Sequence, residues 1–253
     1  MSQATLITSN EVELEHLKDV KMPSKTASYQ PVSHYDLTMN IGDIASRVLN
    51  GMTLVKSRYG LAREGNQMFG THTFKDNVDD EIGLAVGFRN SYDKSMSVGI
   101  AVGARVFVCE NLMMNGDITI FRKHTGNILD ELNSMAFKAI FDNQYKYQEL
   151  TEDKEKMKEI KVSDDKAFSQ LGRLYGKGIL TERQLPVVKD QWEKPFHKDF
   201  EDKTQWSFYN ACTEALKSVG PQYIMQRHMN LHKFLAWEVG KEYQMKTSGK
   251  MVS

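Results

Sequence analysis

The stretch from Met52 to Arg122 restricts the fold more than any other part of the chain. Apolar, β-branched and aromatic residues recur there in short runs separated by turn-forming groups. Met52–Tyr59 is a weak strand. Gln67–Phe74 is a better one, bounded by Glu64-Gly65-Asn66 and Asp76-Asn77. Ile82–Arg89 is apolar at nearly every position, and Met96–Cys109 is long enough for one bent strand. Asp117–Arg122 alternates after Asn115-Gly116, a dipeptide that favours a tight hairpin turn. Parallel strands need a crossover connection, usually a helix, between each pair. No interval here has room for one. The expected sheet is therefore an antiparallel meander of three to five strands, in an α+β fold. Neither parity of Met96–Cys109 is polar throughout, so both faces should be covered.

Helical periodicity flanks this block. Asp36–Leu49 places Leu37, Ile41, Ile44, Ala45 and Val48 on one stripe, and Asn50-Gly51 can close it with a left-handed residue. Asn127–Leu150 reads as one long helix, and the charged run 151–166 as a solvated helical linker held by i,i+4 pairs. Beyond it come a short helix over Lys166–Tyr175 and a capping box at Thr181–Gln184 opening another helix. A pair, Thr204–Val219 and Gln222–Val239, is split by Gly220-Pro221. The expected organisation is an N-terminal arm over 1–35, an α+β core over 36–150, a helical region packed on it over 151–240, and a polar tail over 241–253.

Charge limits the function classes. Thirty-three basic residues balance thirty-three acidic ones, with a pI near 7.1. A protein that coats nucleic acid by bulk charge is usually basic, so any nucleic-acid site must be a local patch. Cys109 and Cys212 stand far apart without metal-like spacing and should be reduced and inert. The longest apolar run, Val98–Cys109, is interrupted by Gly99, Gly103 and Arg105, so no membrane span is expected. The N-terminus lacks a basic segment followed by an apolar one, so a cytoplasmic location is expected.

Two loops carry the chemistry. Arg89-Asn90-Ser91-Tyr92-Asp93-Lys94-Ser95 joins two apolar strands. As plain structure it is a turn built from side-chain-to-backbone hydrogen bonds. As a site, Arg89 and Lys94 would contact phosphates and Tyr92 would offer a stacking face, the combination that holds single strands without sequence preference. Arg122-Lys123-His124-Thr125-Gly126-Asn127 precedes a helix, where exposed N–H groups attract anions. The alternative there is a capped helix with a solvated basic turn. Arg105, a charge inside an apolar strand, needs a partner such as Glu110 or Asp93 or a route to solvent. His228 and His232, four apart on a helix, have zinc-like spacing but Met229 where a zinc protease has Glu, and no obvious third ligand, although Glu238 is nearby in sequence. No nucleophile elbow, phosphate-binding glycine loop or dinucleotide fingerprint occurs. Neither cofactor nor metal is expected.

RNSYDKS (89–95), ARVFVCENL (104–112), KHTGN (123–127) and the lead-in KTASYQPVSHYDL (25–37) resemble a family of phage and plasmid proteins catalogued as domain of unknown function 932. QWSFYNACTEAL (205–216), with the helix after it, is similar to the same family's C-terminal part. The resemblance spans roughly residues 22–238, implies a mobile-element origin and carries over no catalytic residue. Separately, the order of a meander followed by a long helix is similar, at the level of fold alone, to ring-forming single-strand annealing proteins.

The resulting expectation is a single-stranded DNA-binding protein, an oligomeric annealing or recombination factor, using Arg89, Tyr92, Lys94, Arg105, Arg122, Lys123 and His124. The competing expectation is an interaction factor for a host defence or replication protein, suited by fourteen methionines. An enzyme using His124 with Asp93 or Glu110 ranks third.

Overall fold

The computed structural model describes residues 11–76, 81–106, 112–142 and 144–250. One sheet of six strands lies in chain order, every neighbouring pair antiparallel: β1 Glu11–Val12, β2 Thr53–Ala62, β3 Gln67–Lys75, β4 Ile82–Ser91, β5 Val98–Val106 and β6 Leu112–Arg122. The antiparallel meander in an α+β fold is as the strand spacing requires. Two short elements add to it: β1, pairing with Tyr59 and Gly60 at the outer edge, and α1, His16–Asp19.

The Asn115-Gly116 dipeptide is not a hairpin turn. It lies inside β6, where the register jumps from Ala101↔Thr119 to Gly103↔Met114. Residues 115–118 thus face the single residue 102 and form an extended bulge. The connection from β5 to β6 falls within 107–111, outside the described residues, together with Cys109 and Glu110.

Each sheet face has its own cover. Paired residues share a face, so Phe74, Leu84 and Ala104 form one row, as do Gly70, Phe88 and Ile100. These apolar rows pack in one cluster with Leu37, Ile41 and Ala45 of α2 (His34–Val48), Ile128, Leu132 and Ala136 of α3 (Ile128–Phe141), and Leu150 and Met157 of α4 (Gln144–Glu159). On the opposite face β4 and β5 carry small residues, Gly83, Ala85, Gly87, Gly99, Ala101 and Gly103. That flat surface receives Ile224, Met225 and Met229 of α8 (Pro221–Lys250), with Phe69 beside them. Ala85 and Ala101 lie under the helix, whereas Gly99 is covered by the side chains of Phe121 and Arg89.

Three helical expectations need correction. The long helix predicted over Asn127–Leu150 is two: α3 stops at Phe141 and α4 starts at Gln144. The charged run after Leu150 is not a solvated linker, because Lys154, Met157 and Ile160 are buried. Lys154 pairs with Glu81 at 3.1 Å and Glu155 at 2.9 Å, which makes a buried lysine tolerable. The predicted polar tail continues as helix, since α8 runs to Lys250.

The remaining helices follow the sequence signals. Ser163 caps α5 (Asp164–Gly176) by accepting from the Lys166 N–H. Thr181 and Gln184 form the expected capping box ahead of α6 (Leu185–Glu193). Thr204 caps α7 (Gln205–Leu216), and Pro221 opens α8. No helix among the described residues is long and apolar enough to cross a membrane.

Candidate anion-binding site

The β4–β5 loop is tied down by its own polar side chains. The Ser91 hydroxyl accepts from Met96 N–H at 3.0 Å and donates to Met96 O at 2.9 Å. Asp93 accepts from the backbone N–H of Ser95 at 2.9 Å, an Asx turn, and from the Ser95 hydroxyl. Gln67 donates to both Ser95 and Asp93, and Arg63 lies 3.6 Å from Asp93. Partial burial alone would raise the Asp93 carboxyl, but these hydrogen bonds and Arg63 hold it below the usual carboxylate range. Between Asp93 and Ser95 the chain passes through Lys94 at φ +62°, which leaves its side chain exposed. The ammonium lies 4.8 Å from the centre of the Tyr29 ring.

Tyr29 belongs to the N-terminal arm, which folds over both basic loops. Its hydroxyl donates to the carbonyls of Ser91 and Tyr92 at 3.3 Å each, and the next residue, Gln30, donates its N–H to His124 O at 2.9 Å. Thr26 and Tyr29 close the arm's turn.

Beneath the loops lies a buried polar hub at Asn90. Its amide nitrogen donates to Val32 O at 2.6 Å and to His34 Nδ1 at 2.9 Å, and its Oδ1 accepts from His124 Nε2 at 2.7 Å. The Val32 carbonyl can only accept, which settles which end of the amide points where. His34 Nε2 meets the Gly65 carbonyl at 3.0 Å, so the His34 proton is on Nε2 and Nδ1 is the acceptor. By the same logic His124 carries its proton on Nε2. Burial lowers the His34 pKa to about 4; the Gly65 carbonyl opposes this and His124 adds to it. Burial lowers His124 as well. Both rings are neutral at pH 7.

The arm turn (Ser28, Tyr29), the β4–β5 loop (Lys94–Ser97) and the link from β6 to α3 (Lys123–Thr125) line one pocket of about 290 Å³. Lys94, Lys123 and His124 therefore converge on one pocket. The other nominated residues lie elsewhere. Tyr92 is buried, stacked on His34 at 3.8 Å between ring centres, and its hydroxyl accepts from His34 N–H. It has no free face for a base, which corrects the stacking expectation. Arg122 forms a two-point pair with Glu131 of α3, at 2.7 and 3.0 Å. Arg89 stacks on Phe121 at 4.5 Å, on the sheet face that α8 covers, and burial lowers its pKa. Arg105 pairs with Gly83 and Leu112. Six residues along β5 from Gly99, it lies about 20 Å from the pocket end of the strand.

His34, Asn90, Ser28 and Tyr29 were not nominated from the sequence; Asn90 stands inside the nominated loop 89–95, whereas the other three lie in the lead-in segment 25–37. His228 and His232 are buried; His232 Nε2 lies 3.3 Å from Asp153. Glu238 pairs with Arg173 of α5 instead. Among the described residues no group of three potential metal ligands comes together. Cys212 is fully buried, which raises its thiol pKa well above the ordinary value.

Residues 21–242 match the family described as Domain of unknown function (DUF932). The chain belongs to this family. No curated protein and no solved structure matches it. The pocket of this DUF932 chain, from Ser28 to Thr125, lies inside the matched span.

Proposed function

We propose that this chain binds single-stranded DNA, with the pocket seating a phosphate between Lys94 and Lys123. The observation that carries the reading is the contrast among its cations. Arg122 is neutralised by Glu131, whereas neither Lys94 nor Lys123 forms an ion pair among the described residues. A neutral chain thus keeps two unpaired cations at one pocket, beside the hydroxyls of Ser28, Ser97 and Thr125. Cationic side chains with hydroxyl donors suit phosphate oxygens. The mobile-element origin and annealing role belong to the same proposal.

Self-association is part of the reading. Leu129, Phe137 and Phe141 recur on one stripe of α3 and are each about half exposed, with the two phenylalanines stacked at 5.4 Å. A second copy of the chain is the proposed cover, and the mass in solution tests it: a monomer at micromolar concentration removes this part.

The strand-binding test is a fluorescence-anisotropy titration of a labelled oligonucleotide at low salt. Saturable binding that weakens with salt, and weakens further in Lys94→Ala and Lys123→Ala, is expected. No binding at micromolar protein would retire the proposal.

A further inference from the structure

We infer that the pocket takes a phosphate monoester, on the end of a strand or on a free nucleotide, in preference to an internal phosphodiester. The inference rests on the phosphate-binding reading of the same pocket and adds a specificity to it.

Three features carry it. The first is charge. Lys94 and Lys123 come from different loops and have no carboxylate partner among the described residues, since Asp93 is engaged by Ser95, Gln67 and Arg63. A diester carries one negative charge, and a monoester carries about 1.5 to 2 near pH 7. Two unpaired ammonium groups match the monoester.

The second is an acceptor among donors. His124 gives its Nε2 proton to Asn90, so in the neutral ring Nδ1 is a lone pair. That nitrogen has no hydrogen-bond partner among the described residues, and His124 is one of the residues lining the pocket. An internal diester has no proton to offer it. A monoester near pH 7 is a mixture of singly and doubly ionised forms: the singly protonated fraction can donate to His124, the doubly ionised fraction answers to the two lysines, and a free nucleotide also offers its 3′-hydroxyl.

The third is support. Asn90 holds the His124 ring from below and the arm at Val32 from the side, while Gln30 holds the His124 backbone. The ring is thereby presented in one orientation and one tautomer. At about 290 Å³ the pocket is near the lower end of the size of small-molecule sites, roughly 300–1,000 Å³. That suits a terminal phosphate with its sugar better than a length of strand.

The test compares one oligonucleotide, labelled at its 3′ end, with a 5′-phosphate and with a 5′-hydroxyl, binding to the full chain. A third arm uses a deoxynucleoside 5′-monophosphate as competitor. The expected result is at least tenfold tighter binding of the phosphorylated strand, with the preference falling towards one in Lys123→Ala. Equal binding of both strands would overturn the monoester inference and leave strand binding standing. Binding of the free monophosphate without binding of either strand would keep the monoester site and end the strand-binding proposal. Binding of none of the three would overturn both.

Discussion

Asn90 Oδ1 accepts the Nε2 proton of His124 across 2.7 Å, joining β4 to the segment that precedes α3. The same side chain donates to Val32 O and His34 Nδ1, so one buried amide links the arm, α2 and both basic loops. Asn90→Ala leaves three buried polar groups without their partner. A loss of roughly 2–4 kcal/mol is expected, read as a lower urea midpoint at unchanged slope. Asn90→Asp is the sharper variant. A carboxylate can still accept from His124 but cannot donate to Val32 O, and its charge favours protonated histidine. Its deficit relative to the wild type should shrink as pH falls from 7.5 to 5.

The histidines set a pH dependence whose sign follows from burial. An ordinary histidine titrates near 6.5, and His34 in the fold titrates near 4. As pH falls, the unfolded chain takes up this proton first. The stabilising contribution is complete above pH 6.5 and is lost progressively down to about pH 4. That amounts to about 3 kcal/mol for this one residue. His72 and His124 are shifted in the same direction by burial and steepen the loss. Urea midpoints at pH 7.5, 6, 5 and 4.5 check this; a midpoint independent of pH across that range would contradict the neutral-histidine hub.

Cation substitutions separate the pocket from the surrounding basic surface. Each lysine that contacts a backbone phosphate contributes about 0.7 to the salt slope of single-strand binding. Lys94→Ala and Lys123→Ala should each weaken affinity and flatten that slope by about this amount. Arg122→Ala should do much less, because its charge is already spent on Glu131. Anisotropy titrations at 25 to 200 mM salt measure the three slopes. An effect of Arg122→Ala equal to that of the lysines would move the binding surface away from the pocket.

The sheet was legible because alternation and turn residues are local signals. Asn115-Gly116 misled for the same reason: the dipeptide has the chemistry of a turn, but the pairing of β6 with β5 makes it a bulge. In 151–160 the composition is that of a solvated helix. Burial of Lys154 depends on Glu81, which is remote in sequence. The site divides likewise. Lys94, Lys123 and His124 could be found because basic residues cluster in loops. What consumes Arg122 and Tyr92 is Glu131 on a helix and His34 far upstream, partners that pattern does not reveal. The hub residue Asn90 stood in the nominated loop segment, yet its role exists only once Val32, His34 and His124 meet.

Two glycines with superficially similar surroundings should respond differently to alanine. At Gly70 in β3 an added Cβ would lie 2.3 Å from Phe88 Cε2 and 2.5 Å from its Cζ. Phe88 is fully buried and packs on His72 at 5.0 Å, so it has nowhere to move. At Gly99 in β5 the Cβ would meet Phe121 at 2.8 Å, but that ring is 44% exposed and can swing outward. Gly70→Ala should therefore cost at least the roughly 1–3 kcal/mol typical of overpacking, and Gly99→Ala clearly less. Thermal melts of the two variants rank them. Adding Phe88→Leu to Gly70→Ala removes the clashing ring edge and should recover part of the loss, a coupling that a double-mutant cycle reads directly. Strictly additive effects would mean that the strand accommodates the methyl by shifting its backbone, and the close fit of Phe88 over Gly70 would not be what holds β3 and β4 in register.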